Sequence, residues 1–267
     1  MRPGFMTSVC PSQTLPELID TAERFGYEGI EFRVEWGHKH GIELALHGGP
    51  ESRVELPAAR RMLADRGIAA TCIATSCRFN SPDAADHLPQ RESLRRYIAL
   101  ASELGAPYIR TFSDSLPEGD TAEREKVLSL AAESYAAMDA WAGEHDVTML
   151  VETHTNMRGE WARQILDQSG ATHLKVLWHI GHHLRQGQSV DEAYDYIGAH
   201  VRHVHFSAGE ESGVVTDADN LRTFELLSEG GFDGFFSVEN INPPDPEAAL
   251  ALHIQKFRAF LAVAGKG

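Results

Sequence analysis

The stretch of sequence that decides the fold is TMLVETH, at residues 148–154. A short apolar run ends there in a carboxylate and an imidazole, and such a run is typical of a buried β-strand. Glu152 stands where the strand leaves the core, and a buried carboxylate is costly unless it has a partner such as a metal ion. The stretch therefore predicts a strand that delivers a metal ligand at its C-terminal end.

Three later segments have the same form, each an apolar run that ends in His or Glu: residues 174–182, 201–205 and 235–239. Successive strands that each deliver a ligand-type side chain at the C-terminal end are typical of a site at the mouth of a parallel barrel. A doubly wound open sheet is the alternative, but it would usually show a Gly-rich phosphate turn after an early strand. The sequence has no such turn.

Strands and helices alternate along the whole chain. Strands are predicted at residues 4–10, 29–34, 69–75, 108–112, 148–154, 174–180, 201–206 and 235–239. Helices are predicted between residues 14 and 26 and at 56–66, 92–104, 120–144, 160–168, 190–198, 221–228 and 246–263. The pattern predicts eight strand–helix units of ~30 residues each, and therefore an α/β fold of the (β/α)₈ TIM-barrel type. No linker divides the chain, so a single domain over residues 1–267 is expected.

Composition limits the classes of partner. The chain carries 24 Lys and Arg against 39 Asp and Glu, a formal net charge of −15. This acidity argues against nucleic-acid or anionic-membrane binding, which needs basic surface. No apolar run approaches ~18 residues, and no signal-peptide core is present. The three cysteines, Cys10, Cys72 and Cys77, lack paired zinc-type spacing and fit a reducing compartment, so a cytoplasmic protein is expected.

Four ligand-type residues end the predicted strands five to eight: Glu152, His179, His205 and Glu239. A single strand-end histidine is more often a hydrogen-bonded core or surface residue, so the joint placement carries the prediction. Two carboxylates and two imidazoles suit Mn²⁺, Fe²⁺, Co²⁺ or Zn²⁺, whereas Mg²⁺ and Ca²⁺ prefer oxygen ligands. The sequence therefore predicts a divalent metal site.

Further polar residues surround the predicted site. His182, three residues after His179, is expected to bind substrate or to replace His179 as the metal ligand. His154, just beyond the strand-five carboxylate, is also a candidate for substrate binding. His203 lies one pleat deeper in strand seven and is expected to be structural. The His- and Gly-rich segment 36–50 is predicted to be a functional loop.

Arginines form a second pattern. Five of them fall at or just past the C-terminal ends of strands two to six: Arg33, Arg78, Arg110, Arg158 and Arg185. In an acidic protein this concentrates positive charge at one mouth, which favours an anionic sugar phosphate or sugar acid. The alternative is that they are ion-pair partners of the abundant Asp and Glu. Arg33, Arg78 and Arg110 are predicted to bind substrate.

The motifs together resemble the sugar phosphate isomerase/epimerase family, the xylose isomerase-like TIM barrels. The matching segments are GYEGIE at 26–31, VETH at 151–154, VLWHIGH at 176–182, HVH at 203–205, and GFDG at 231–234 followed by VE at 238–239. Each motif is weak alone, but their order is fairly specific and covers essentially the whole chain. The resemblance implies a divalent metal ion and a small-molecule carbohydrate substrate. The oligomeric state stays open, with a homo-oligomer as one alternative.

The resemblance also assigns the metal positions. In this family they are Glu, Asp, His and Glu on strands five to eight, and they fall on Glu152, His179, His205 and Glu239. The chain departs from the family at His179, which stands where Asp is usual. Three outcomes are open: a metal site with a softer ligand set of two His and two Glu, a site in which His182 is a ligand, or loss of activity. Since imidazole favours the later metals, Zn²⁺, Mn²⁺, Fe²⁺ or Co²⁺ is expected over Mg²⁺.

The chemistry that the resemblance implies is proton transfer next to a carbonyl, with the metal stabilising the charge that develops. Glu152 and Glu239 are expected to act as base and acid on the two faces of the substrate. This predicts a metal-dependent isomerase or epimerase of a sugar, sugar acid or sugar phosphate. The alternatives are a lyase on the same barrel (a dehydratase or a C-glycoside-cleaving subunit) and a non-catalytic sugar-binding relative. An endonuclease for abasic DNA is disfavoured by the acidity.

Overall fold

A computed structural model describes residues 1–46, 54–208 and 214–265. Its eight strands are β1 (Arg2–Met6), β2 (Gly29–Arg33), β3 (Ala69–Arg78), β4 (Tyr108–Phe112), β5 (Thr148–Glu152), β6 (Leu174–His179), β7 (Val201–Phe206) and β8 (Phe235–Val238). Each strand pairs in parallel with the next one, and β8 returns to β1 to close the barrel. The predicted (β/α)₈ barrel is thereby confirmed.

Nine helices follow in the described part of the chain: α1 (Leu15–Phe25), α2 (Leu56–Asp65), α3 (Ala84–Leu104), α4 (Thr121–Glu144), α5 (Gly159–Ser169), α6 (Ile180–Arg185), α7 (Val190–Ile197), α8 (Asp217–Glu229) and α9 (Pro246–Ala264). Short 3₁₀ turns occur at Thr7–Val9, Ile42–Leu46 and Gly198–His200. Within the described ranges, no helix combines the length and the apolarity that a membrane crossing requires.

The first helix shows how the local sequence sets an element. α1 begins after Thr14, whose backbone N–H donates to Glu17 Oε2 at 2.7 Å, which is half of a capping box. Gly26 ends the helix in the left-handed conformation, at φ 80°, where a residue without Cβ is favoured. Leu18 and Ala22, one helical turn apart, are buried against the barrel wall.

Strand residues alternate between the two faces of the barrel wall. In β7, Val204 and Phe206 belong to the large apolar cluster between strands and helices, where each such buried side chain contributes roughly 1.5–3 kcal/mol. The alternate residues of β7, His203 and His205, face the barrel interior and contact Glu31 of β2. Because β2 and β7 are not neighbouring strands, this contact crosses the barrel interior. The interior is therefore polar at this level.

The largest helical differences from the sequence prediction lie in α3 and α6, while α8 begins four residues earlier than predicted, at Asp217. α3 begins at Ala84 rather than at residue 92, because the Asp83 side chain accepts from Ala85 N–H at 2.9 Å and caps the helix early. The helix then accommodates Pro89 in its second turn. α6 follows β6 without a connecting loop, so His182 lies on a short helix rather than on a loop.

Candidate metal centre at the barrel mouth

The four residues that end strands five to eight converge. Glu152 and His179 are the last residues of β5 and β6, His205 lies near the end of β7, and Glu239 follows β8 directly. The C-terminal ends of parallel strands share one mouth, which explains the convergence. One ligand atom from each side chain lies within 4.8 Å of the others. The structure thus brings together the four residues that the sequence selects as metal ligands.

Short contacts connect these side chains. His205 Nδ1 lies 3.1 Å from Glu152 Oε1 and 3.0 Å from Glu239 Oε2. His179 Nε2 lies 3.1 Å from the same Glu239 oxygen. Ligand atoms bound to one ion at about 2.0–2.2 Å are separated by roughly 3.0–3.6 Å, depending on the coordination geometry. The observed separations are close to that spacing.

The electrostatics of the cluster favour a cation. Burial by itself would raise the pKa of Glu152, but His205 and Arg110 outweigh it and lower the pKa to about 2. Burial also opposes ionisation of Glu239, yet His205 and His179 hold its pKa well below the usual range. Burial lowers the pKa of His205, and the surrounding carboxylates more than reverse this and raise it well above the usual value. A positive charge is therefore stabilised between the carboxylates, either as a proton on His205 or as a metal ion.

Arg110 adds a fixed positive charge beneath the cluster. Its Nη1 lies 3.3 Å from Glu152 Oε2 and 3.6 Å from Glu239 Oε1, and the side chain is fully buried. Glu31, also fully buried, contributes a third carboxylate on the other side of His205. Three carboxylates and one guanidinium leave two net negative charges, which one divalent cation would neutralise. Arg110 thus lies inside the barrel beside the carboxylates, deeper than its predicted position at the substrate mouth.

Several buried polar atoms in this cluster lack a hydrogen-bond partner. Among the described residues, His179 Nδ1 has no hydrogen-bond partner, and Glu152 Oε2 and Arg110 Nη1 have only their mutual ion pair and the longer one with Glu239. Buried polar atoms are normally satisfied, and a bound ion is one of the ways in which an exception is resolved. Two carboxylates and two imidazoles are ligands that Zn²⁺, Mn²⁺, Fe²⁺ and Co²⁺ accept. The residues therefore fit a divalent ion.

A cavity of about 370 Å³ opens over the cluster, within the size range of small-molecule sites. Its lining includes His154, His179, His182, Arg185, Ser207, Glu239 and Asn240. A second cavity, of about 400 Å³, opens at the N-terminal face of the barrel, where its lining includes Arg2, Tyr108 and Phe235. None of the four converging residues lines that second cavity, so the chemistry favours the cavity at the C-terminal mouth.

Two histidines of the cavity lining have opposite electrostatic environments. Burial lowers the pKa of His154, but a hydrogen bond with Asp114 Oδ2, at 2.8 Å from His154 Nδ1, and the charges of the neighbouring carboxylates together outweigh burial and raise the pKa. Burial and the neighbouring His179 lower the pKa of His182 to about 3. The His182 ring packs on that of His179, with centroids 4.0 Å apart. His154 is thus the more readily protonated of the two, and His182 is a neutral hydrogen-bonding group.

The predicted arginine residues occupy different environments. The Arg33 guanidinium lies over the Trp36 ring, 4.1 Å from its centroid, and that of Arg78 lies over Phe112 at 5.0 Å. The Nε atoms of both arginines are buried, and no described residue is their hydrogen-bond partner. Arg158 Nε instead lies 2.6 Å from Glu160 Oε1, as the ion-pair alternative expected.

The predicted functional segment 36–50 is described only as far as residue 46, and His47 lies outside the described residues. In the described part, His40 is buried, with its Nε2 3.0 Å from Arg33 O. His38 Nδ1 lies 3.2 Å from Thr7 Oγ1. These contacts hold the segment against the end of β2, so the two histidines position Arg33 rather than join the metal cluster.

Two residues of the site were not assigned from the sequence. Glu31 contacts His203 and His205 inside the barrel, and Asp114 contacts His154 at the mouth. The signal for Glu31 was its parity: it occupies the inward-facing register of β2, where a carboxylate requires a partner. Asp114 gave no comparable signal, because it lies in an irregular segment after β4.

Comparison with known proteins agrees with the fold. A sequence profile for the xylose isomerase-like TIM barrel matches residues 19–260. An L-ribulose 3-epimerase structure has 16% identity and a TM-score of 0.79, with 99% of this chain and 96% of that chain covered. The IolI protein with a bound zinc atom has 15% identity and a TM-score of 0.78, with 99% of each chain covered.

A third similar structure is the probable 3-DHS dehydratase AsbF from Bacillus anthracis. It has 18% identity and a TM-score of 0.73, with 97% of this chain and 99% of that chain covered. No curated protein sequence matches this chain. At such identities the structural likeness establishes a shared fold, and the activity has to be argued from the site.

Proposed function

Since this chain belongs to the xylose isomerase-like TIM barrel family, we propose that it is a divalent-metal-dependent isomerase or epimerase of a small sugar, sugar acid or sugar phosphate. The observation that carries the proposal is the convergence of Glu152, His179, His205 and Glu239 beside the cavity at the barrel mouth. The sugar epimerases among the similar structures support the same class of reaction.

When bound, the metal ion supplies positive charge that stabilises the negative charge developing on the substrate oxygens. Glu239 lines the cavity and is 14% exposed, so its carboxylate can reach the carbon next to a carbonyl. Glu152 is fully buried, and both carboxylates contact His205 Nδ1. In epimerisation one glutamate, in its ionised form, would remove the proton from that carbon, and the other, carrying a proton taken up from solvent, would give that proton to the opposite face. The two protonation states are then exchanged, and proton exchange with solvent restores them. Because the pKa values of Glu152 and Glu239 are low, their positions contribute more to this step than a pKa close to the working pH does.

The proposed metal is Zn²⁺, Mn²⁺, Fe²⁺ or Co²⁺ rather than Mg²⁺. The ligand set has two imidazoles, and His179 replaces a carboxylate with a neutral nitrogen ligand. Zinc in the IolI structure supports a site of this character on this fold. His179 rather than His182 is the proposed strand-six ligand, because His179 belongs to the converging group.

The proposed substrate carries an anionic group. Arg33 and Arg78 are the last residues of β2 and β3, and each has a buried Nε atom for which the described residues provide no hydrogen-bond partner. Arg185 lines the cavity over the metal centre. A phosphate or carboxylate would accept hydrogen bonds from such guanidinium groups.

A lyase is the second candidate, and the Asp114–His154 pair favours it. Proton abstraction by a carboxylate would be followed by loss of the neighbouring hydroxyl. His154, whose pKa is raised and which lines the cavity, would give its proton to that hydroxyl, which leaves as water. The dehydratase among the similar structures supports this alternative.

The test is solvent deuterium uptake by a panel of ketoses, keto acids and their phosphates, followed by mass spectrometry and NMR. Uptake with recovery of an isomer supports the epimerase, and uptake with loss of water supports the lyase. Glu239→Gln should abolish uptake, while Glu229→Gln, on the exposed end of α8, should leave it unchanged. A metal-loaded wild type that exchanges no proton on any substrate would favour a non-catalytic sugar-binding protein and contradict the proposal.

A further inference from the structure

We propose that Glu31 is a positioning residue that fixes the ring of His205 so that its Nδ1 atom faces the metal ion. The inference rests on the metal centre proposed above. Glu31 lies on β2, on the side of His205 away from the other ligands, and both side chains are wholly buried. Its role is therefore exerted through His205 and not through the substrate.

The two nitrogens of the His205 ring face different partners. Nε2 lies 3.1 and 3.2 Å from the two carboxylate oxygens of Glu31. Nδ1 lies 3.1 Å from Glu152 Oε1 and 3.0 Å from Glu239 Oε2. An ionised carboxylate only accepts hydrogen bonds, so Nε2 carries a proton and donates it to Glu31. Nδ1 is left as the nitrogen available to a metal, and the carboxylate partner increases its basicity.

His203 anchors the carboxylate from the other side. Its Nε2 lies 3.0 Å from Glu31 Oε2. His203 and His205 are two residues apart on β7, so strand alternation places both rings on the inward face, where they reach one carboxylate. None of the three side chains is exposed, so bulk water cannot replace these hydrogen bonds. The arrangement holds the His205 ring at a fixed orientation.

The same three residues have a competing interpretation as a second metal site. Glu31, His203 and His205 each offer a ligand atom within 4.8 Å of the others. Such a site would have only three protein ligands from the described ranges and no exposed surface for a water ligand. His205 would have to lose both ring protons to serve two ions. A second divalent ion near Arg110 would also leave uncompensated positive charge in the barrel interior.

The experiment compares wild type, Glu31→Gln and Asp139→Asn in the full-length protein. Glutamine keeps the size of Glu31, but it has one acceptor oxygen and one NH₂ donor where the carboxylate has two acceptor oxygens. Since His203 and His205 both donate to residue 31, one of the two rings must change its protonation or lose its partner. Asp139→Asn is the matched control, because Asp139 pairs with His173 at 3.1 Å outside the barrel. Four quantities are measured for each protein. They are the zinc content, the zinc affinity in competition with a chromophoric chelator, the absorption spectrum of the cobalt-loaded form, and the melting temperature.

Wild type and Asp139→Asn should bind one zinc ion with equal affinity. Glu31→Gln should bind it about 10–100-fold more weakly, with an altered cobalt spectrum. If wild type binds zinc and Glu31→Gln shows the same zinc affinity and the same cobalt spectrum, the inference about Glu31 is overturned, while the proposed metal centre stands. Two ions in wild type and one in Glu31→Gln would establish the second metal site instead.

Wild type that binds no metal would contradict the proposed function as well. Should Glu31→Gln fail to fold, Glu31→Asp retains the acceptor but shortens its reach, and it should weaken zinc binding in the folded protein. If Glu31→Asp has a lower melting temperature but the zinc affinity and cobalt spectrum of wild type, then Glu31 is merely structural.

Discussion

Arg110 Nη1 lies 3.3 Å from Glu152 Oε2, and neither side chain is exposed to solvent. The guanidinium also donates to Thr75 O at 3.0 Å, so its position is fixed by β3 as well as by the carboxylate. In the absence of metal, Arg110 is a fixed positive charge between the buried carboxylate of Glu152 and the partly exposed carboxylate of Glu239. This relationship predicts a stability effect.

Replacing Arg110 with Met should lower the free energy of unfolding of the metal-free protein by about 3–5 kcal/mol, because it leaves buried carboxylates uncompensated. Urea denaturation measures this change. Arg163→Met is the control: it removes an exposed ion pair with Asp167 and should cost at most about 1 kcal/mol. Equal stabilities for the two variants would show that Arg110 does not compensate the charge of the carboxylates.

His179→Asp should shift the metal preference towards Mg²⁺ and Mn²⁺. The substitution makes the ligand set one charge more negative and replaces a nitrogen ligand with oxygen. Competition between Mg²⁺ and Zn²⁺, measured by the metal content after dialysis against both ions, reports the shift. An unchanged preference would indicate that His179 is not a ligand.

Arg33→Ala should raise KM for the substrate roughly 10-fold or more, because a hydrogen bond to a charged group contributes about 1.5–3 kcal/mol. The melting temperature should change little by comparison. Arg158→Ala, which removes the pair with Glu160, is the matched control with no effect on KM. If neither variant changes KM, Arg33 is structural and the substrate anion is bound elsewhere.

Asp114→Asn should lower the pKa of His154 in the metal-free protein. The His154–Asp114 contact stabilises the protonated ring, so its stabilising effect is present at low pH and is lost as the pH rises through the raised His154 pKa. Burial raises the pKa of Asp114, but the hydrogen bond and charge of His154, together with Thr155 and Arg78, outweigh burial and lower the pKa, so the effect is also lost on acidification through that value. The contact therefore stabilises most at intermediate pH.

NMR titration of the histidine ring protons measures the His154 pKa directly. Asp139→Asn provides a control in which the His154 titration should keep its wild-type midpoint. If the midpoint in Asp114→Asn does not fall, another group holds the proton on His154.

The sequence predicted the order of strands and helices because buried parallel strands form short apolar runs and the intervening helices are bounded by capping residues and glycines. The start of α3 was missed because Pro89 weakens the helical pattern over its first turns. α6 was missed because six residues are too few for a periodic signal.

The convergence of four strand-end residues was predictable because parallel strands in a barrel share one mouth. Contacts across the barrel were not. Glu31 and His205 are 174 residues apart on strands that do not pair, so only the closed barrel brings them together. Asp114 and His154 follow the neighbouring strands β4 and β5, but their contact was not predictable because Asp114 lies in an irregular segment. The depth of Arg110 was also hidden, since a position at a strand end does not say whether the side chain turns inward or towards the mouth.

The central claim is that Glu152, His179, His205 and Glu239 hold one divalent metal ion. The most direct measurement is the metal content of wild type and Glu239→Ala after expression in medium supplemented with zinc and manganese, with Glu229→Ala as the control. About one ion per chain is expected in wild type and in the control, with a large loss in Glu239→Ala. A metal-free wild type, or equal metal content in all three proteins, would contradict it.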